Sequence, residues 1–176
     1  VDSYGFLVMN MNKKSITCNA KAPEGLDLLR RLVAKCDVVV ENMGPGSMDN
    51  LGLTYLDLYL IHMPFGDYYG SWRALEELYQ EGKIRAIGVC NFLPDRLLDL
   101  CYNAKILPQI NQIERHPHYQ RPEELSLMQE LHVQPEAWAP FAEGLKGMFT
   151  EPVLMEIAQK YGKTPAHVIL RWNVQQ

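Results

Sequence analysis

The sequence has few of the features that mark specialised classes of protein. Its four cysteines, Cys18, Cys36, Cys90 and Cys101, include no C-x-x-C pair and lie far apart, which argues against a zinc ribbon and a thioredoxin-like motif. No apolar run approaches the roughly 20 residues that a helix needs to cross a bilayer, and no signal-peptide pattern opens the chain. We therefore expect reduced thiols in a cytoplasmic, non-exported protein.

The charge balance excludes a further class. The 176 residues carry 17 Lys and Arg against 21 Asp and Glu, a formal charge of −4, so a basic surface for nucleic acid is not expected. With 47% apolar and 22% charged residues, the composition is that of a globular protein with a packed core.

Four β-prone segments recur at regular spacing, each followed by an amphipathic stretch. Their centres lie near Leu58, Ala86, Asn111 and Glu136, roughly 25 to 28 residues apart, which is typical of successive βα units with right-handed crossovers. Helices are expected to open at Ser71 as a cap, at Pro94, at Pro122 and at the Thr164-Pro165 pair. The pattern predicts an α/β fold with about four βα units, half of an eight-stranded barrel, and the length falls short of the roughly 250 residues of a complete one.

The first fifty residues follow a different pattern. A short β-prone stretch at Ser15–Asn19 precedes a helical stripe after Pro23-Glu24-Gly25, and Asp37–Glu41 contains three consecutive valines. We interpret residues 1–50 as a βαβ segment and residues 51–176 as a second domain.

Polar and aromatic side chains stand where each strand of the second domain is expected to end. In a barrel of βα units the functional groups gather at the carboxyl ends of the strands. A single strand-end histidine, or an asparagine before a turn, is common for structural reasons, but four consecutive ends of this kind favour a site. The candidates are His62, Cys90, Asn91, residues 112–116 and Trp138.

The end of the third strand carries three residues of types that can bind a metal. Glu114, His116 and His118 alternate and would project from one face of an extended segment. However, Pro117 interrupts the strand between the histidines and no fourth ligand is apparent. We therefore expect no bound metal.

Four segments between Leu51 and the C-terminus resemble the aldo-keto reductases, particularly the small bacterial enzymes that reduce diketogluconate-like and other small carbonyl compounds. The segments are LGLTYLDLYLIH (51–62), GKIRAIGVCNF (82–92), NQIERHP (111–117) and QPEAWAPFAEG (134–144). The resemblance implies that residues 51–176 form part of a (β/α)8 TIM barrel.

The same resemblance implies hydride transfer from NADPH to the carbonyl of an aldehyde, ketone or keto-sugar acid, in a barrel without metal or flavin. His62 matches the family's active-site histidine, which orients and polarises the substrate carbonyl. Asn91 and Gln112 match the groups that hold the nicotinamide carboxamide, and Cys90 stands where serine is more usual. Trp138 matches the aromatic residue that stacks on the nicotinamide ring.

The match to the family is partial. Its catalytic tyrosine, with the lysine and aspartate that tune it, has no counterpart in residues 1–50, so His62 is the one catalytic residue that carries over. The basic segment that binds the 2′-phosphate of NADPH also has no match. We therefore expect a reductase relative of low or absent activity as this chain.

The N-terminal segments resemble a second family, the family III CoA transferases. The matching text is NMNKKSIT (10–17), PEG (23–25), CDVVVENMGPG (36–46) and MDNLGL (48–53), with Met43 in place of the usual aromatic residue. This resemblance implies a contribution to a CoA pocket, with Asn42 and either Lys13 or Lys14 as candidate contacts. Both families carry a run like residues 51–58, so we expect a chimera joined there; the alternative is a natural protein with a diverged N-terminus.

Three functions remain open from the sequence. The first is a reductase relative that binds NADPH and a small carbonyl substrate. The second is a fragment of an acyl-CoA transferase. The third is a non-catalytic half-barrel that forms a homo-oligomer through its open sheet edges, because unpaired edges recruit other strands. Neither nucleic acid nor a membrane is an expected partner.

Overall fold

The computed structural model describes residues 13–41 and 46–175, and the chain divides into two compact units, residues 1–55 and 56–176. The first unit contains helix α1 (Pro23–Val33) and the short helix α2 (Ser47–Leu51). Pro23 opens α1, where its missing N–H has no intrahelical partner to lose. The Arg30 guanidinium donates to the Asn50 carbonyl at 2.7 Å and so ties α1 to α2. Asn42 and Met43 lie outside the described residues.

The two strands predicted for the first unit do not form, although the predicted helix between them is present. Residues 15–19 and 37–41 belong to no strand. Val38 and Val40 are 75% and 90% exposed, so the valine run is not buried as a strand of a packed sheet would be. High β-propensity reflects packing on a half-buried sheet, and without a partner strand it does not by itself form one.

The second unit is built on a parallel four-stranded sheet in the order β1-β2-β3-β4. The strands are β1 (Tyr59–Ile61), β2 (Ile87–Cys90), β3 (Ile110–Glu114) and β4 (Gln134–Trp138). The helices are α3 (Tyr68–Gln80), α4 (Pro94–Asn103), α5 (Pro122–Glu130), α6 (Pro152–Lys160) and α7 (Pro165–Val174). This βα alternation confirms the predicted α/β fold and partial barrel. No helix in the described residues is long and apolar enough to cross a membrane.

The helix starts follow the predicted signals with one correction. Pro94, Pro122 and Pro165 each lie in the first turn of a helix, as expected. The prediction that Ser71 caps α3 is wrong. Asp67 is the cap, because its carboxylate accepts the Gly70 N–H at 2.7 Å and the helix therefore begins one turn earlier.

The hydrophobic core lies between one face of the sheet and the helices. Ile87, Val89 and Ile113 are at most 1% exposed and pack in one cluster with residues of α3, α4 and α5. The core partners from these helices are Trp72, Leu75, Leu97, Leu100 and Met128. Because side chains alternate along a strand, the opposite face carries the residues between these positions, and polar groups lie there.

Candidate active site

Three side chains form a row across the polar face of the sheet. Cys90, Gln112 and Glu136 are paired partners on β2, β3 and β4, so the parallel register places them side by side. The Gln112 amide nitrogen donates to the Glu136 carboxylate at 2.7 Å, and its amide oxygen accepts from the Cys90 sulfur at 3.8 Å. These two bonds fix which end of the Gln112 amide faces which neighbour.

The Cys90 thiol is held in its neutral form. Burial raises its pKa to about 11, and the negative charge of Glu136 adds to the effect. A neutral thiol can donate to Gln112 and is a poor nucleophile, since the thiolate is the reactive form. The geometry therefore gives Cys90 a hydrogen-bonding role like that of a serine hydroxyl.

Asn91 connects the ends of three strands. Its side-chain nitrogen lies 3.2 Å from the His62 carbonyl oxygen and 3.2 Å from the Met63 sulfur, both just after β1. Its side-chain oxygen accepts the indole N–H of Trp138, the last residue of β4, at 2.8 Å. Asn91 has φ 60°, a left-handed conformation that asparagine adopts more readily than most residues. This backbone turn directs the amide across the edge of the sheet.

The sequence-predicted site residues therefore meet at one edge. His62, Cys90, Asn91 and Trp138 lie at or directly after the carboxyl end of a strand, and Gln112 lies in the middle of β3, beside Cys90 at the end of β2. His62 is exposed and Trp138 is half-buried, so a ligand can reach both side chains from solvent.

The end of β3 also brings Glu114 and His116 together. The His116 Nε2 lies 3.4 Å from a Glu114 carboxylate oxygen, and the His116 ring is 1% exposed. The His118 ring packs edge-on at a centroid distance of 6.3 Å. Across the described ranges, no group of three or more His, Cys, Asp or Glu residues is arranged to hold a metal ion.

Sequence reasoning missed Glu136 and Met63 as members of this cluster. Glu136 could have been found, because it lies two residues before Trp138 on the same strand and so shares its face. Met63 could not, because its contact with Asn91 depends on the turn that follows β1.

Comparison with known proteins decides the family. Residues 41–176 match the family model of the aldo/keto reductases. The chain belongs to the aldo/keto reductase family. In its relatives the matching stretch is one half of the protein: the chain spans about half the length of the curated relatives that it matches.

Individual family members agree with this assignment. An uncharacterised oxidoreductase of Bacillus subtilis is 50% identical over 130 residues, which cover 73% of this chain and 46% of that protein. The glyoxal reductase of the same organism is 47% identical over 130 residues with the same coverage. Among solved structures, an aldo-keto reductase from a deep-sea metagenome matches with a TM-score of 0.70 and 39% identity, over 73% of this chain and 49% of that one. The aldo-keto reductase of Bombyx mori, solved in complex with NADP, matches with a TM-score of 0.67 and 33% identity over 73% and 48%.

A second family matches the other end of this aldo/keto reductase chain. Residues 1–62 match the model of CoA-transferase family III. The two matches overlap at residues 41–62, which include the run 51–58 that both families share. Both family resemblances are thereby confirmed, the CoA transferases for the N-terminal residues and the aldo-keto reductases for the rest of the chain.

Proposed function

We propose that residues 51–176 are part of the barrel of an NADPH-dependent carbonyl reductase and that residues 1–50 are a CoA-transferase-like segment joined to it. The observation that carries this proposal is the proximity of Asn91, Gln112 and Trp138 in a chain of the aldo/keto reductase family: the Asn91 N–H donates to the Gln112 carbonyl at 2.9 Å, and the Trp138 indole N–H donates to the Asn91 amide oxygen at 2.8 Å. The free thiols of all four cysteines support a reducing, cytoplasmic setting.

The donor set at this edge suits a nicotinamide group. Two primary amides, Asn91 and Gln112, offer both donors and acceptors to a planar, uncharged carboxamide, and the neutral Cys90 thiol adds a third polar group beside them. The Trp138 ring supplies an aromatic face for the pyridine ring. When bound, NADPH would supply the hydride that reduces the carbonyl carbon.

The protein's own contribution to the carbonyl is assigned to His62. Its exposed ring follows β1, and an N–H of the ring can donate to the substrate oxygen as negative charge develops there. The family's tyrosine, lysine and aspartate have no counterpart in residues 1–50. We therefore propose that this chain binds the cofactor and reduces small carbonyls, such as glyoxal or methylglyoxal, far more slowly than its longer relatives.

Two measurements test this function together. Saturating NADPH should raise the thermal midpoint of the chain, because a ligand that binds the folded state stabilises it. NADPH consumption with methylglyoxal should be slow and should fall further in His62→Ala. An unchanged midpoint at millimolar NADPH, in a sample shown to be folded, contradicts the cofactor site, and an equal rate in His62→Ala contradicts the assigned role.

The family III match supports a second candidate, binding of CoA by the first unit. Lys13 and Lys14 are both exposed in the structure, as side chains that contact a phosphate need to be. Titration with CoA should raise the thermal midpoint if this unit retains the pocket. A midpoint that stays constant up to millimolar CoA would remove this candidate.

The sheet edges support the third candidate, a homo-oligomer. In the described sheet β1 and β4 are the outer strands, each paired on one side. Unpaired edges of this kind template pairing with another chain. Sedimentation should show a dimer or larger species if copies pair there, and a folded monomer at high concentration would argue against it.

A further inference from the structure

The hydrogen bond between Trp138 and Asn91 occupies groups that the proposed cofactor site needs. The Asn91 side-chain oxygen accepts the indole N–H at 2.8 Å, and the side-chain nitrogen is taken by the His62 carbonyl and the Met63 sulfur. The Gln112 amide is hydrogen-bonded in the same way: its nitrogen donates to Glu136, and its oxygen accepts from Cys90. In this arrangement each amide has a protein partner at both its oxygen and its nitrogen.

We infer that the Trp138–Asn91 bond is a latch, which closes the nicotinamide site in the free chain and opens when the carboxamide takes the place of the indole N–H on Asn91. The inference rests on the proposed function, since it concerns the same site. In the free chain the Trp138 indole N–H competes with the nicotinamide carboxamide for Asn91. Once the latch is open, the Trp138 ring can stack on the nicotinamide ring.

The backbone around Trp138 allows the side chain to move alone. The Trp138 carbonyl accepts the Arg115 N–H at 3.2 Å, so strand pairing holds the main chain at this position. Ala139 follows with φ 46°, a left-handed conformation that an alanine rarely adopts and that cannot continue a strand. The strand therefore stops at Trp138, and opening the latch requires rotation of the indole without unpairing β4.

The latch can be measured without any ligand, from the indole N–H signals of the ¹⁵N-labelled full chain. The chain has three tryptophans, so Trp138→Phe assigns the signal, and Trp72, whose N–H donates to the Ile106 carbonyl at 3.1 Å, is an internal control. Asn91→Gly keeps the left-handed backbone and removes the acceptor. Asn91→Asp keeps an acceptor oxygen and removes the donor.

The two Asn91 variants should behave oppositely. In Asn91→Gly the Trp138 N–H should exchange with solvent about fivefold faster than in the unmodified chain, the factor that corresponds to a neutral hydrogen bond of ordinary net strength. In Asn91→Asp the exchange should stay slow, because a carboxylate is the stronger acceptor. The Trp72 signal should be unchanged in both. Equal Trp138 exchange in the unmodified chain and Asn91→Gly would overturn the latch.

A titration with NADPH then tests the competition. Binding should shift the Trp138 indole signal and raise its exchange towards the rate seen in Asn91→Gly, while Trp72 stays constant. If NADPH binds saturably while the Trp138 N–H still exchanges slowly, the indole and the ligand do not compete for Asn91. The proposed function would then stand, and the proposed competition would be wrong. If NADPH changes no signal while the ligand-free experiment shows the latch, the proposed cofactor site fails and the competition is overturned with it.

Discussion

At the scale of single residues, Cys90 shows how the site sets the chemistry of a side chain. Its pKa is raised to about 11, first by burial and then by Glu136, whereas the Cys36 thiol is exposed. At pH 8 to 9 alkylation by iodoacetamide should therefore modify Cys36 well before Cys90, as peptide mapping by mass spectrometry can show. Glu136→Gln should speed the alkylation of Cys90; comparable rates at both cysteines in the unmodified chain would contradict the account.

The same thiol makes stability depend on pH. The ordinary thiol pKa is 9.0, so between pH 9 and about 11 an unfolded Cys90 loses its proton while the folded one retains it. The unfolded state then binds fewer protons, and the free energy of unfolding falls as pH rises through this range. Urea unfolding at pH 8 and pH 10.5 should show the fall, and Cys90→Ser should reduce it. If the free energy of unfolding falls by the same amount in Cys90→Ser, other groups cause the pH dependence. One such group is the Cys101 thiol, because burial raises its pKa as well.

The sequence was sufficient to identify which residues lie at the edge of the sheet, and insufficient to show how they bond. The strand pattern predicts His62, Asn91 and Trp138, because each lies at or just after the end of a recognisable strand. Gln112 lies within a strand, and the family resemblance assigns it to the nicotinamide. The bond from Trp138 to Asn91 was not, because the residues are 47 positions apart and meet only through the left-handed turn at Asn91. Contacts of this kind depend on tertiary structure that periodicity does not encode.

At the scale of elements, Glu76 anchors α3 to the segment that leads into β3. This carboxylate is 5% exposed and accepts the N–H groups of Lys105 and Ile106 at 2.7 and 2.8 Å. Glu76→Ala removes a buried carboxylate that accepts two backbone N–H groups and should lower the free energy of unfolding by about 1.5–3 kcal/mol. Glu77→Ala, at an exposed position of the same helix, should change it by less than about 0.5 kcal/mol. Equal effects in urea unfolding would contradict the anchoring role.

The centre of β2 requires glycine for its close packing. A Cβ at Gly88 would lie 2.6 Å from the Ile110 carbonyl oxygen and 2.8 Å from a Leu60 methyl group. Gly88→Ala should therefore destabilise the chain by about 1–3 kcal/mol, measured by urea unfolding. Leu60→Ala added to it should not restore stability, because the carbonyl of the neighbouring strand cannot move aside. A neutral Gly88→Ala would show that the strands separate easily.

Elements were predictable where packing and local pattern agree. The four strands of the second unit and the proline-led helix starts were correctly predicted, because buried parallel strands and helix caps leave local signals. The strands expected at residues 15–19 and 37–41 share the β-branched pattern but do not form. Local β-propensity favours a strand at these residues. The sequence pattern does not specify the partner strands that a sheet also requires.

At the scale of the whole molecule, the two family matches place a boundary within residues 41–62. We propose that residues 1–50 and 51–176 have separate origins. A single long DNA read through the codons for Ile16 to Ile87 should contain both halves without interruption if the fusion is real. Reads that separate at residues 51–58 would instead mark two unrelated genes, and only the second would bear on reductase function.

The central claim is that the carboxyl edge of this half-barrel binds a nicotinamide cofactor. A titration with NADPH, followed by the quenching of tryptophan fluorescence, tests it in three forms of the chain. The unmodified chain should bind saturably. Gln112→Ala should bind about tenfold more weakly, because it removes the amide beside Asn91 and leaves its neighbours unpaired. Gln134→Ala, at the far end of β4, should bind as the unmodified chain does. Absence of saturable quenching in the folded chain, or equal affinity in Gln112→Ala, would contradict the account.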